Sequence, residues 1–163
     1  MYVAAPGTPS SRDLQFGFSN PLAHRRGPSP GILVVEDDPH VRALVVRILE
    51  RTGFSCLDAP GPREALETLK GLDRGEILPP ALVLADVLLP GMPTPEFLEC
   101  LRTRLPAAPV LLMSGCAPAE LRRQGVDPSE LALRKPFGPE ELLSAIEGAG
   151  IPIPPGRGGP QGA

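Results

Sequence analysis

Two hydrophobic rhythms alternate along residues 31–147. Residues 32–35 (ILVV) form a short, wholly apolar run, the pattern of a strand covered on both faces. From Pro39 the period becomes helical. Val41, Leu44, Val45, Ile48 and Leu49 stand at i, i+3, i+4, i+7 and i+8, a single apolar stripe, and Gly53 closes the segment. Residues 54–57 predict a second strand. Residues 62–72 repeat the stripe through Ala65, Leu66, Leu69 and Leu72, with Pro62 suited to a first helical turn. Residues 81–85 (ALVLA) predict a third strand, ending at Asp86. Pro90-Gly91 turns the chain. Thr94 followed by Pro95 then predicts an N-cap and a first helical residue, and Phe97, Leu98, Leu101 and Leu105 mark the buried side of that helix. Residues 110–113 predict a fourth strand, closed by Ser114-Gly115, and residues 118–124 a short helix. Residues 131–134 predict a fifth strand, closed by Lys135-Pro136, and residues 139–147 a last helix with Leu142, Leu143 and Ile146 inward.

Five strand–helix units with short turns imply an α/β domain: a parallel, doubly wound sheet with helices on both faces. The rhythm stops at both ends of the chain. Residues 1–30 are rich in Gly, Pro, Ser and Ala, and residues 148–163 hold ten Gly or Pro in sixteen. Segments of that composition bury too little apolar surface to offset their chain entropy. The expected organisation is a disordered N-terminal tail (1–30), one domain (31–147) and a disordered C-terminal tail (148–163), with no second domain after it.

Composition narrows the function classes. Hydrophobic residues make up 42 % of the 163 positions and aromatics only 4 %, so the core must be aliphatic. No apolar run approaches the ~20 residues that span a bilayer, and no signal-peptide pattern opens the chain. The expected location is cytoplasmic, with no membrane partner. Cys56, Cys100 and Cys116 lack metal-type spacing and read as reduced thiols. The formal charge of −3 is uneven: residues 1–30 carry +2, residues 148–163 carry +1, and the segment between them therefore carries −6. An acidic domain argues against nucleic-acid binding, so no DNA partner is expected.

The polar residues that interrupt the apolar pattern all fall at strand ends: Glu36 and Asp37, then Asp86, Ser114 and Lys135. In a parallel sheet these ends share one edge, and open α/β sheets bind ligands there, where the strand order reverses. With the flavodoxin-like order 2-1-3-4-5, Glu36, Asp37 and Asp86 would converge in one crevice, flanked by Ser114 and Lys135. Three close carboxylates cannot all remain ionised unless a cation joins them or their pKa values rise. A hard, oxygen-seeking divalent ion such as Mg²⁺ satisfies that condition. Lys135 adds a point charge suited to a phosphoryl oxygen, and Ser114 adds a small hydroxyl. Carboxylates, cation, lysine and hydroxyl together fit an aspartyl-phosphate site with Asp86 as nucleophile. Each residue alone has a plainer role: acids before a helix cap it, Asp86 and Ser114-Gly115 suit turns, and a lone lysine is usually solvated. His40, off the apolar stripe, and His24, in the tail, read as exposed.

The pieces ILVVEDDP, LVLADVLLPGM, VLLMSG and LRKPF, in that order, resemble the receiver domain of bacterial two-component response regulators, the CheY-like family. The resemblance covers residues 31–147. It implies that Asp86 is the phosphoacceptor and that Asp37 binds Mg²⁺ directly, with Glu36 acting more often through water. The backbone carbonyl of Leu88 would complete the protein ligands. Ser114 would hydrogen-bond the phosphoryl group, and a cis Lys135–Pro136 peptide would aim the lysine. Asp38 has no role in the family pattern and reads as a charge at the helix start. Implied partners are a histidine kinase or a histidine phosphotransfer protein, and an output protein the sequence does not identify. Such a protein is not an enzyme toward other substrates; it assists its own phosphoryl transfer and dephosphorylation.

The chain departs from the family at Ala132, where a switch aromatic usually precedes the lysine by three positions, and at Pro93-Thr94-Pro95, in place of a more usual Asp-Gly turn. Ala132 motivates an alternative, a degenerate receiver that serves as a phosphorylation-independent docking module. A haloacid-dehalogenase-like phosphatase would need Asp-x-Asp after strand 1. Here Glu36-x-Asp38 lacks the nucleophile.

Overall fold

The computed structural model describes residues 31–155. Five strands, β1 (Gly31–Val35), β2 (Ser55–Ala59), β3 (Leu82–Asp86), β4 (Val110–Ser114) and β5 (Leu131–Arg134), form one sheet in the order β2-β1-β3-β4-β5. Every pairing is parallel. Among the described residues, five α-helices connect or follow them: α1 (Pro39–Arg51), α2 (Pro62–Asp73), α3 (Thr94–Arg104), α4 (Pro118–Arg123) and α5 (Pro139–Gly148), with a 3-10 turn at Pro128–Glu130 leading into β5. This is the doubly wound, flavodoxin-like arrangement implied by the alternating pattern.

The period of two along each strand divides the core. Ile32, Val34, Leu82, Leu84 and Met113 point to one face, where Val45 and Leu49 of α1 and Leu142 and Ile146 of α5 cover them. Leu33, Val35, Val83, Ala85 and Leu112 point to the other, beneath Ala65 and Leu69 of α2, Phe97, Leu98 and Leu101 of α3, and Leu121 of α4. A fully buried Leu, Ile or Val contributes roughly 1.5–3 kcal/mol. Both faces of the central strands therefore pin the strand ends, and with them the polar residues that follow.

Several local expectations change. Leu44 lies at the rim of the α1 stripe and is 56 % exposed, while Val45 and Leu49 fill the interface. The second strand begins one residue later and runs two further than expected, to Ala59. Phe54 belongs instead to the helix exit: its N–H donates to Leu49 and its ring is buried against α1. Thr94 is not an N-cap. It is the first residue of α3, and its buried hydroxyl donates to the Val87 carbonyl at 2.6 Å, tying the helix start to the chain just past β3.

The domain also continues past residue 147. Ile151 and Ile153 pack against the α1–α5 core, and a β-carbon on Gly53, whose φ is +98°, would meet the Pro154 side chain at 3.0 Å. Two isoleucines suffice to dock a proline-rich segment that its composition alone would leave free. The rest of both expected tails, 1–30 and 156–163, with His24, lies outside the described residues.

Candidate functional site

Strand pairing places the acidic residues. The β1–β2 ladder closes at Val35 and Ala59, and the Glu36 N–H adds one more bond to the Ala59 carbonyl at 3.1 Å. This directs Glu36 inward, where it is 1 % exposed, and leaves Asp37 outside. Asp86 ends the neighbouring strand β3 and is 8 % exposed. One carboxylate oxygen from each of Glu36, Asp37 and Asp86 lies within 4.8 Å of the other two. The three residues that the sequence placed at two strand ends thus meet at the reversal of strand order.

Lys135 completes the cluster from the end of β5. Its Nζ donates to Glu36 Oε2 at 2.6 Å and to Asp86 Oδ2. Its backbone N–H donates to the Ser114 carbonyl at 2.9 Å, and the Lys135–Pro136 peptide is cis. Asp86 Oδ1 accepts from the N–H of Leu88 at 2.8 Å, which folds the β3–α3 loop over the carboxylate. Ser114 is fully buried, and its Oγ accepts from the Cys116 N–H at 3.1 Å. A hydroxyl that accepts this way retains its own O–H to donate.

The electrostatics follow from the spacing. Burial pushes the Glu36 carboxyl above the ordinary carboxylate range, and the nearby Asp86 charge adds to this, against the opposing hydrogen bond from Lys135. For Lys135, burial alone would weaken the ammonium. The hydrogen bonds to Asp86 and Glu36 outweigh that and hold its pKa above the usual lysine value. The lysine thus serves two carboxylates as an internal counter-ion.

Three carboxylates with no sulfur or imidazole among them suit a hard cation, so the donor set fits Mg²⁺. Asp38 stands apart. Its Oδ1 accepts from the N–H groups of His40 at 2.8 Å and Val41 at 3.2 Å, which makes it the N-cap of α1, and those bonds lower its pKa. The first two acids of ILVVEDDP therefore face the cluster, and the third builds the helix.

Ala132 lies exposed on β5, where the β4–β5 register shifts: Leu112 pairs with Leu131, and Met113 with Leu133. It is the extra residue of that irregularity, a placement with no sequence signal. Sequence reasoning also passed over Arg42. It sits on α1 off the apolar stripe, and its guanidinium reaches back to the backbone of Glu36 and Asp37. An Arg four residues after an N-cap is too ordinary a pattern to single out.

Comparison with known proteins agrees with this geometry. Residues 32–147 match the family model described as the response regulator receiver domain. Protein PetR of Rhodobacter capsulatus is 32 % identical over 118 residues, 72 % of this chain and 47 % of PetR. The sensor kinase CckA of Brucella abortus is 33 % identical over 120 residues, 73 % of this chain and 12 % of CckA. The chain thus spans less than half the length of either relative. Among solved structures, the chemotaxis protein CheY4 of Vibrio cholerae aligns with a TM-score of 0.60 at 25 % identity, over 74 % of this chain and 98 % of CheY4. The chain belongs to the response regulator receiver family.

Proposed function

We propose that this receiver accepts a phosphoryl group on Asp86 within a two-component phosphorelay, and that the modification changes the binding of a partner protein. The observation that carries this reading is the single ammonium of Lys135 held between Glu36 and Asp86 on the sheet edge, with Ser114 buried beside it. The donor is a phosphohistidine on a histidine kinase or a histidine phosphotransfer protein.

In the transfer, a carboxylate oxygen of Asp86 attacks phosphorus in line with the P–N bond of the donor. A P–O bond forms, the P–N bond breaks, and the imidazole leaves with the electron pair and takes up a proton. The Lys135 ammonium exchanges its contact with Asp86 for one to a phosphoryl oxygen, and the Ser114 hydroxyl donates to another. The Leu88 N–H holds the carboxylate in place. Glu36, Asp37, Asp86 and the Leu88 carbonyl would hold Mg²⁺, which when bound neutralises charge on the transferring group. Hydrolysis of the acyl phosphate by water returns the carboxylate, so the protein acts on itself and turns over no other substrate. The −6 charge of residues 31–147 favours a protein partner over nucleic acid. No helix among the described residues is long and apolar enough to cross a membrane, in keeping with a cytoplasmic phosphorelay.

Incubation with Mg²⁺ and a small acyl phosphate tests this. Wild type should gain the mass of one phosphoryl group and Asp86→Asn should gain none; equal behaviour would overturn the reading. A second reading, a docking module indifferent to phosphorylation, is favoured by Ala132 in place of the usual aromatic. It requires partner binding that survives Asp86→Asn and ignores Mg²⁺.

A further inference from the structure

The loop that carries Glu36 and Asp37 lies beyond the end of the β1 ladder, so its two carbonyls lack sheet partners. Arg42, one turn into α1, supplies them. Its Nη1 donates to the Glu36 carbonyl at 2.6 Å and, at 3.4 Å, approaches that of Asp37. Its Nε donates to Asp58 Oδ2 at 3.1 Å, and Asp58 stands on β2 opposite Val34. The guanidinium side chain is only 18 % exposed. The Glu36 peptide is therefore gripped from both sides: β2 backbone holds its N–H, and an arginine anchored to β2 holds its C=O.

We propose that Arg42, anchored by Asp58, is a positioning residue that sets the Mg²⁺ affinity of the acidic loop. This rests on the reading of Glu36, Asp37 and Asp86 as a Mg²⁺ site. Arg42 contacts no carboxylate of the cluster. Its effect runs through the backbone, which fixes where the Glu36 and Asp37 side chains begin. Supports of this kind around metal ligands change affinity by about 10–100-fold when removed.

The sign of the effect separates positioning from charge. Arg42 places a cation near a cation site, so by Coulomb's law alone its removal would tighten Mg²⁺ binding. Loss of positioning weakens it. Lysine keeps the charge but gathers its donors on one nitrogen at the end of a flexible stem, in place of the planar fork whose Nε reaches Asp58 while Nη1 reaches the Glu36 carbonyl.

The test is calorimetric titration of Mg²⁺ into wild type, Arg42→Ala, Arg42→Lys and Asp58→Ala, paired with the Mg²⁺ midpoint for phosphorylation by an acyl phosphate. Arg42→Ala and Arg42→Lys should each weaken Mg²⁺ binding about tenfold or more. The phosphorylation rate should recover at saturating Mg²⁺, which general damage to the fold would not allow. Asp58→Ala should shift the midpoint the same way, and adding it to Arg42→Ala should shift it no further, since the pair acts as a unit. If Arg42→Ala does not fold, Arg42→Lys decides. Unchanged or tighter Mg²⁺ binding in the Arg42 variants, with normal binding by wild type, would overturn the positioning role alone. No Mg²⁺ binding by wild type would overturn the metal site and this role together.

Discussion

Lys135 Nζ lies 2.6 Å from Glu36 Oε2 and also contacts Asp86 Oδ2, so one ammonium joins the ends of β1 and β3 from the end of β5. Three strands that are not all neighbours in the sheet are linked through a single charge. Removing that charge strands two buried carboxylates side by side. Lys135→Ala should lose about 1–3 kcal/mol of stability in metal-free buffer, below the full penalty for a broken buried pair because the lysine is 21 % exposed. Added Mg²⁺ should stabilise this variant more than wild type, since the cation takes over the neutralisation. Urea unfolding with EDTA and with Mg²⁺ measures both quantities.

Asp37 and Asp38 are adjacent and chemically alike, yet their contacts assign them opposite tests. Asp37→Ala should abolish Mg²⁺ binding and leave the melting temperature of the metal-free protein near wild type. Asp38→Ala removes the acceptor for the His40 and Val41 N–H groups and should lower the melting temperature while largely sparing Mg²⁺ binding. Calorimetry for the metal and circular dichroism for the melt separate the two. Equal loss of Mg²⁺ binding would place the wrong pair of acids at the site.

The hydroxyl of Thr94 is buried and meets the Val87 carbonyl at 2.6 Å. Thr94→Val keeps the shape and leaves that carbonyl without its partner, a loss of roughly 1–3 kcal/mol. Thr94→Ser, which preserves the bond, should lose less. Chemical denaturation of both variants checks the order.

Cys56 on β2 is shielded enough that burial, with the charges of Glu50 and Asp58, pushes its thiol up to about 12 from the ordinary 9.0. Between these values the unfolded chain has released this proton and the folded chain has kept it, so stability falls as pH rises through the window. The slope from this group approaches ~1.4 kcal/mol per pH unit. Cys56→Ala should flatten the decline between pH 9 and 12, read as the difference between two urea titrations. In native protein at pH 8, Cys56 should also be the last of the three thiols to react with iodoacetamide.

How legible each feature was depended on whether its cause is local. The strand runs and helical stripes stand in the sequence because burial imposes a period of 2 or 3.6, and they placed Glu36, Asp37, Asp86, Ser114 and Lys135 on one edge. Thr94 and Leu44 were misjudged because neither Pro95 nor the stripe tells which way a side chain at the rim will turn. Arg42 was passed over because its partners are backbone carbonyls, which carry no letter in a sequence. The packing of Ile151 and Ile153 was hidden by the Gly and Pro around them. Two apolar contacts with the α1–α5 core hold residues 151–153 despite that composition.

Gly31 opens β1 beside Ser55, and Pro154 returns to Gly53, so both ends of the described chain lie at the pole opposite the carboxylates. A bead or dye joined at Gly31 or at Pro154 would attach at this pole. The acidic edge would then point outward into solution, open to an approaching protein and clear of its own tether. A fluorophore placed at Pro154 would stand across the sheet from the chemistry, and would report rotation of the whole domain in preference to events at Asp86.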